Sequence, residues 1–270
     1  MITVHHRPCG AAVHVFHSLA YLDVEKSGST YVSQFLRDFL DDDEVWCRKH
    51  HEMEDRPPSG RLHVLSVRDP VDTYLSLFSY GCQGKGGLFG RLRDAGHGAL
   101  YDGTAAGFDR WLDVVLDPGS APVLDPPSYH RRGVAEHTGL LSYRVARLAA
   151  PRPDRWMRDV AAPEDFVAAY RDNSLVDVVL RNESLPQDLE ALVLRADLAW
   201  RPTREAALTA VRAQQRLNTS ARLDAGSGFA VRDDVRRRVA ARERLLTEVF
   251  GYDDGHRTST TDPIQATSRA

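Results

Sequence analysis

Lys26-Ser27-Gly28-Ser29-Thr30 sets one cation, three hydroxyls and a glycine in five consecutive positions. Those groups suit the binding of a phosphate. A glycine lets backbone approach an anion closely, and hydroxyls and an ammonium group donate to it. Further along, Arg68 opens Arg-Asp-Pro, and Ser76 follows it by eight residues. A guanidinium is suited to two-point phosphate binding. Eight helical residues make about two turns, so Ser76 can face a ligand that Arg68 touches. Between these segments stand His50, His51, Glu52 and Glu54. They could supply a proton acceptor, and histidine has the side chain whose ordinary pKa lies closest to neutrality. Plainer readings exist for all three: a polar turn with Ser27 capping a helix, a strand stop with an Arg–Asp surface pair, and solvated histidines.

These residues need elements to position them. Residues 11–24 read as a strand ending near Val24, and Val32, Phe35, Leu36, Phe39 and Leu40 recur at helical spacing after it. The segment 24–40 is therefore strand, tight loop, helix, a geometry that turns backbone N–H groups and a positive helix end toward an anion. The acidic run Asp41–Glu44 reads as solvated. Residues 45–50 and 61–67 read as strands, with a helix starting at Pro70. Gly81 to Gly98 is rich in glycine and reads as a mobile surface loop. Helices are expected at 107–116, 139–148 and 163–173, and a strand running into a polar turn at 175–185. Three further helices are expected at 185–198, 204–217 and 231–250, before a disordered tail at 253–270. Alternating strands and helices predict an α/β fold, a single domain over 1–252 with a central, mainly parallel sheet. Ligands of such sheets sit at the carboxyl ends of strands, which directs attention to Val24 and Val67.

Composition removes several classes. The 270 residues are 42% hydrophobic and 27% charged, as in an ordinary globular protein. A net charge of −3 argues against a general nucleic-acid binder. No run approaches the ~18 apolar residues of a membrane span, and the N-terminus lacks the apolar core of a signal peptide. Cys9, Cys47 and Cys82 are too few for a disulfide scaffold and suit a reducing cytoplasm. Only Lys26, Lys49 and Lys85 are lysines among 35 basic residues, a bias that draws attention to Lys26. Neither Cys47 with His50 and His51, nor His5 and His6 with Cys9, is repeated at zinc-site spacing, so no metal is expected. Lys26 precedes its glycine, so the segment is not a Walker A loop, and the glycines at 81–87 follow a helix, which excludes a dinucleotide fingerprint. His130 and His137 are further candidates to line an acceptor pocket.

Together, KSGST after a strand and R-D-P with a serine eight residues after its arginine resemble the sulfotransferases that use 3′-phosphoadenosine 5′-phosphosulfate (PAPS). The likeness is closest to the branch of carbohydrate and many bacterial sulfotransferases. GFDRWLDVVL, VVLRNESL, and QRLNTSARL with a helix ending VFGYD resemble later parts of that family, so the likeness spans residues 16–252. It implies a P-loop-like, three-layer α/β fold. It also implies that Lys26, Ser27, Gly28, Ser29, Thr30 and Tyr31 hold the 5′-phosphosulfate, while Arg68 and Ser76 hold the 3′-phosphate. The stretch from Asn218 to Arg222, with Ser220, would close over the nucleotide. The catalytic set would be Lys26, Ser76 and a base from the window before Arg68, with His51 favoured, then His50, ahead of Glu52 and Glu54. Glu25 stands where the family has proline, and is expected to point away from the anion. Asn182-Glu183-Ser184 replaces a Tyr-Glu-Asp turn. The implied reaction moves a sulfuryl group from PAPS to a hydroxyl of a natural product or carbohydrate in the cytoplasm, leaving 3′-phosphoadenosine 5′-phosphate (PAP) and needing no metal. The rival readings are an ATP-dependent phosphotransferase with Mg²⁺ and a non-catalytic nucleotide-binding protein of the same fold.

Overall fold

The computed structural model describes residues 12–49, 60–213 and 231–252. In chain order these form β1 (Ala12–Phe16), β2 (Leu19–Leu22), α1 (Ser29–Phe39), β3 (Glu44–Lys49), β4 (Leu62–Val67), α2 (Pro70–Cys82), α3 (Gly87–Leu92), α4 (Ala105–Leu116), α5 (Ala121–Leu124), α6 (Leu140–Ala149), α7 (Pro153–Trp156), α8 (Pro163–Asn173), β5 (Val178–Arg181), α9 (Leu185–Val193), α10 (Arg204–Arg212), α11 (Asp233–Arg242) and α12 (Arg244–Glu248). The chain divides into two compact units. The first takes the described residues up to Arg68, Arg147–Pro153, and those from Ser174 to 213. The second takes Asp69–Ala146, Asp154–Asn173, and 231–252. None of the described helices is long and apolar enough to cross a membrane.

The α/β class holds, but the sheet is mixed rather than mainly parallel. Its order is β3-β1-β2-β4-β5. β2, β4 and β5 pair in parallel, while β1 runs antiparallel to both β2 and β3. The cause lies in residues 12–22, which form a hairpin where one strand was expected over 11–24. His17 and Ser18 form its turn, so Val13 faces Leu22 and Val15 faces Ala20. The acidic run helps to fix this turn, where solvated side chains were expected. Asp42 Oδ2 accepts from both Ser18 N and Ser18 Oγ, each at 2.7 Å.

In the first unit, α1 lays Val32, Phe35 and Leu36 on the sheet face made by Phe16, Leu19, Tyr21, Leu62, Val64 and Leu180. Leu185, Leu189 and Leu192 of α9 and Leu208 and Val211 of α10 complete this core. Each fully buried side chain of that size contributes roughly 1.5–3 kcal/mol, so this face fixes where β2 ends and α1 begins. That junction is the sequence 23–30.

In the second unit, α2 and α4 meet through aromatic rings. Phe78 lies 5.4 Å from Phe108, and Tyr74 lies 6.0 Å edge-on to Trp111. The glycine-rich segment is not a loop without an apolar face. Gly87–Leu92 is helical, and Leu88 and Leu92 are buried at 5% and 0% exposure. Two leucines four residues apart suffice to dock a short helix. The expected helix over 231–250 is broken at Glu243, where ψ is 42°. Its fully buried carboxylate accepts from Leu141 N at 3.3 Å, from Ser142 N at 2.7 Å, and from the Tyr74 hydroxyl. It thus caps the first turn of α6 with negative charge. Burial raises its pKa, while hydrogen bonds from Tyr74 and Ser142 oppose that rise.

Candidate anion-binding turn

β2 delivers the chain to Val24, and Ser27 then folds back on it. Ser27 N donates to Val24 O at 3.3 Å, and Ser27 Oγ donates to the same oxygen at 2.7 Å. The Ser27 hydroxyl also bonds Ser66 Oγ on β4, which in turn bonds the Tyr21 hydroxyl at 2.7 Å. Ser27 is 1% exposed. Its side chain therefore fastens the turn to the sheet from beneath, and the helix cap is Gly28 rather than Ser27. The loop hydroxyls that remain at the N-terminus of α1 are those of Ser29, largely buried, and Thr30, exposed.

The backbone here is unusual. Lys26 has φ of 69° and Gly28 has φ of 88°. Among the described residues, Lys26 and Arg152 are the non-glycine residues with positive φ. A left-handed L-residue costs roughly 1–2 kcal/mol, and such strain concentrates at functional sites. Left-handed residues thus flank Ser27 on either side. Glycine is required at 28 for a second reason. A Cβ there would lie 2.7 Å from Asn182 Nδ2 and 3.1 Å from Leu185 Cδ2. The end of β5 thus packs directly on the turn.

Two cations meet at this point. Arg68, just past the end of β4, donates from Nη1 to Lys26 O at 3.4 Å. Burial and the nearby Arg68 guanidinium lower the Lys26 pKa, partly offset by Glu25, which favours the charged form. β2 and β4 are parallel neighbours, so Val24 and Val67 bring their loops to the same edge of the sheet. An anion bound here would neutralise two converging positive charges.

The other expected residues are distributed as follows. Tyr31 is half-buried, stacks on Phe35 with ring centres 6.2 Å apart, and packs against the core. Ser76 lies on α2 of the second unit and is 9% exposed. His130 is exposed and His137 half-buried, both in the second unit. His50, His51, Glu52, Glu54, Asn218 and Ser220 lie outside the described residues, as does the tail from Asp253. Sequence reasoning missed Asn182 and Ser66. The signal for Ser66 was a serine inside an otherwise apolar strand, and for Asn182 a polar turn at a third strand end.

Comparison with models of protein families, with curated proteins and with solved structures finds no match.

Proposed function

We propose that this chain is a PAPS-dependent sulfotransferase acting on a hydroxyl of a small natural product or carbohydrate. The observation that carries the reading is the left-handed lysine turn with the Arg68 guanidinium drawn to its backbone. A strand–turn–helix unit in an α/β sheet, with two cations at parallel strand ends, is what a P-loop-like three-layer fold needs for a phosphosulfate donor. Lys26, Gly28, Ser29 and Thr30 would hold the 5′-phosphosulfate, and Arg68 the 3′-phosphate. Ser27 would act by fixing the turn. The protein would work in the cytoplasm.

In the reaction, the acceptor oxygen attacks sulfur as the bond from sulfur to the bridging phosphate oxygen breaks. The acceptor proton passes to a base, for which His51, then His50, is the choice, and the electron pair of the broken bond stays on PAP. Charge on the bridging oxygen appears only during transfer, so Lys26 contributes most in the transition state. No step calls for a metal. The order of lysine and glycine disfavours an ATP-dependent phosphotransferase.

The test is a comparison of PAP with AMP, which lacks the 3′-phosphate. PAP should bind at least about 10-fold more tightly, the worth of a charge-assisted contact of ~1.5–3 kcal/mol. Equal affinities would remove the donor assignment.

A further inference from the structure

The sheet beside the turn carries a set of four charged groups, two of them buried and two half-buried. His14 on β1 is 0% exposed and Asp23, the residue after β2, is 4% exposed. His14 Nδ1 lies 2.6 Å from Glu44 Oε1 on β3, and His14 Nε2 lies 3.7 Å from Asp23 Oδ2. Arg37 on α1 donates from Nε to Glu44 Oε2 at 3.0 Å. Tyr21 of β2 stacks on the imidazole with ring centres 5.9 Å apart, and Cys47 of β3 is its direct cross-strand partner. His14, Glu44 and Cys47 bring ligand atoms within 4.8 Å of one another, but the Arg37 guanidinium already supplies the positive charge there.

Nδ1 faces two groups, Glu44 Oε1 at 2.6 Å and Arg37 Nη2 at 3.1 Å. A separation of 2.6 Å between Nδ1 and a carboxylate oxygen needs a proton between them. Nε2 has no hydrogen-bond partner among the described residues and faces the Asp23 carboxylate at 3.7 Å, so a proton there is held by ion pairing with Asp23. The ring is then an imidazolium, and two cations balance two carboxylates. Removing one proton leaves a buried excess of one negative charge. The shifts agree. Burial and the Arg37 charge push His14 down, but Asp23 and Glu44 outweigh them and raise its pKa above the ordinary 6.5. Burial pushes Glu44 up, but His14 and Arg37 outweigh that and bring it to about 2.

Asp23 joins this set to the anion-binding turn. It immediately precedes Val24, the residue whose carbonyl takes both Ser27 hydrogen bonds. Asp23 Oδ1 is buried with no hydrogen-bond partner among the described residues, so the imidazolium is its main compensation. Tyr21 makes a second link, since its hydroxyl bonds the Ser66 that holds Ser27.

We propose that His14 is a proton-operated latch on the Lys26–Thr30 turn: its imidazolium holds Asp23 and the turn in the anion-binding form, and loss of the proton releases both. A raised histidine pKa stabilises the fold fully below pH 6.5, and that stabilisation is lost as pH rises through the elevated value. Anion affinity should therefore fall as pH rises through that elevated value. That effect on affinity rests on the proposed function, but the latch does not.

The experiment is an NMR titration of the full chain, following the His14 Cε1–H and the amides of residues 25–30. His14 should titrate above 6.5 in the wild type, and Asp23→Asn should lower its midpoint. The turn amides should shift with the His14 midpoint, and that transition should be absent in His14→Gln. If His14 titrates at or below 6.5, or if the turn amides ignore it, the latch is overturned. Should His14→Gln fail to fold, the wild-type and Asp23→Asn titrations still decide. In parallel, PAP affinity should fall several-fold across the same midpoint. Absence of PAP binding at every pH would sink the anion reading, while the amide data would still settle the latch.

Discussion

Replacing Gly28 with alanine tests the turn at its tightest point. Two costs are expected. At φ of 88° an L-residue loses roughly 1–2 kcal/mol relative to glycine. The new Cβ would also sit 2.7 Å from Asn182 Nδ2 and 3.1 Å from Leu185 Cδ2. The Asn182 amide can rotate aside, but Leu185 is 5% exposed and belongs to the core. Displacing it is overpacking, worth typically 1–3 kcal/mol. The sum is about 2–5 kcal/mol by urea unfolding. Gly60→Ala is the control in the same unit, because Gly60 has φ of 96° but nothing within 4 Å. It should lose only the conformational part, ~1–2 kcal/mol. Adding Leu185→Ala to Gly28→Ala should recover part of the difference, measured as a double-mutant cycle. Equal losses at Gly28 and Gly60 would show that β5 does not pack on the turn. No loss at Gly28 would refute its left-handed backbone.

Arg68→Ala should weaken PAP binding roughly 10–100-fold, from the ~1.5–3 kcal/mol of a charge-assisted contact, and calorimetry reads this directly. Lys26→Ala should lower kcat more than PAP affinity, since its strongest interaction forms during transfer; an equal loss in both would assign it to ground-state binding. His51→Ala should leave PAP affinity nearly unchanged and reduce kcat by ~10²–10⁴. If His50 and His51 variants both turn over normally while Glu52 or Glu54 variants do not, the base is a carboxylate. Leu92→Ala should cost ~2–5 kcal/mol because it empties a core position, whereas a leucine in an undocked loop would tolerate the change.

The sequence made the α1 unit legible because its apolar spacing is regular and its turn is short. The strand ends, Leu22 close to the expected Val24 and Val67 as expected, and the approach of Arg68 to the Lys26 backbone followed from that regularity and from the rule for parallel strands. The hairpin was hidden because residues on both sides of His17-Ser18 are buried, so the run reads as one strand. Its turn is specified from a distance, by Asp42. The inward direction of Ser27 was equally hidden, because its partners Val24 O and Ser66 meet it only through sheet pairing. Helix α3 was obscured by four glycines among residues 81–87, which mask a docking pair as small as Leu88 and Leu92. The break at Glu243 lies in a helical pattern with no proline or glycine, and its cause is a tertiary one: the carboxylate is committed to Tyr74 and the start of α6.

The claim that matters most is the identity of the nucleotide. It is tested most directly by calorimetric titration of the full chain with PAP and with ATP, each with a metal chelator and then with Mg²⁺. The account predicts that PAP binds without metal, and that ATP, lacking a 3′-phosphate, binds far more weakly in both conditions. Equal affinity for the two nucleotides, or binding that appears only with Mg²⁺, would contradict it.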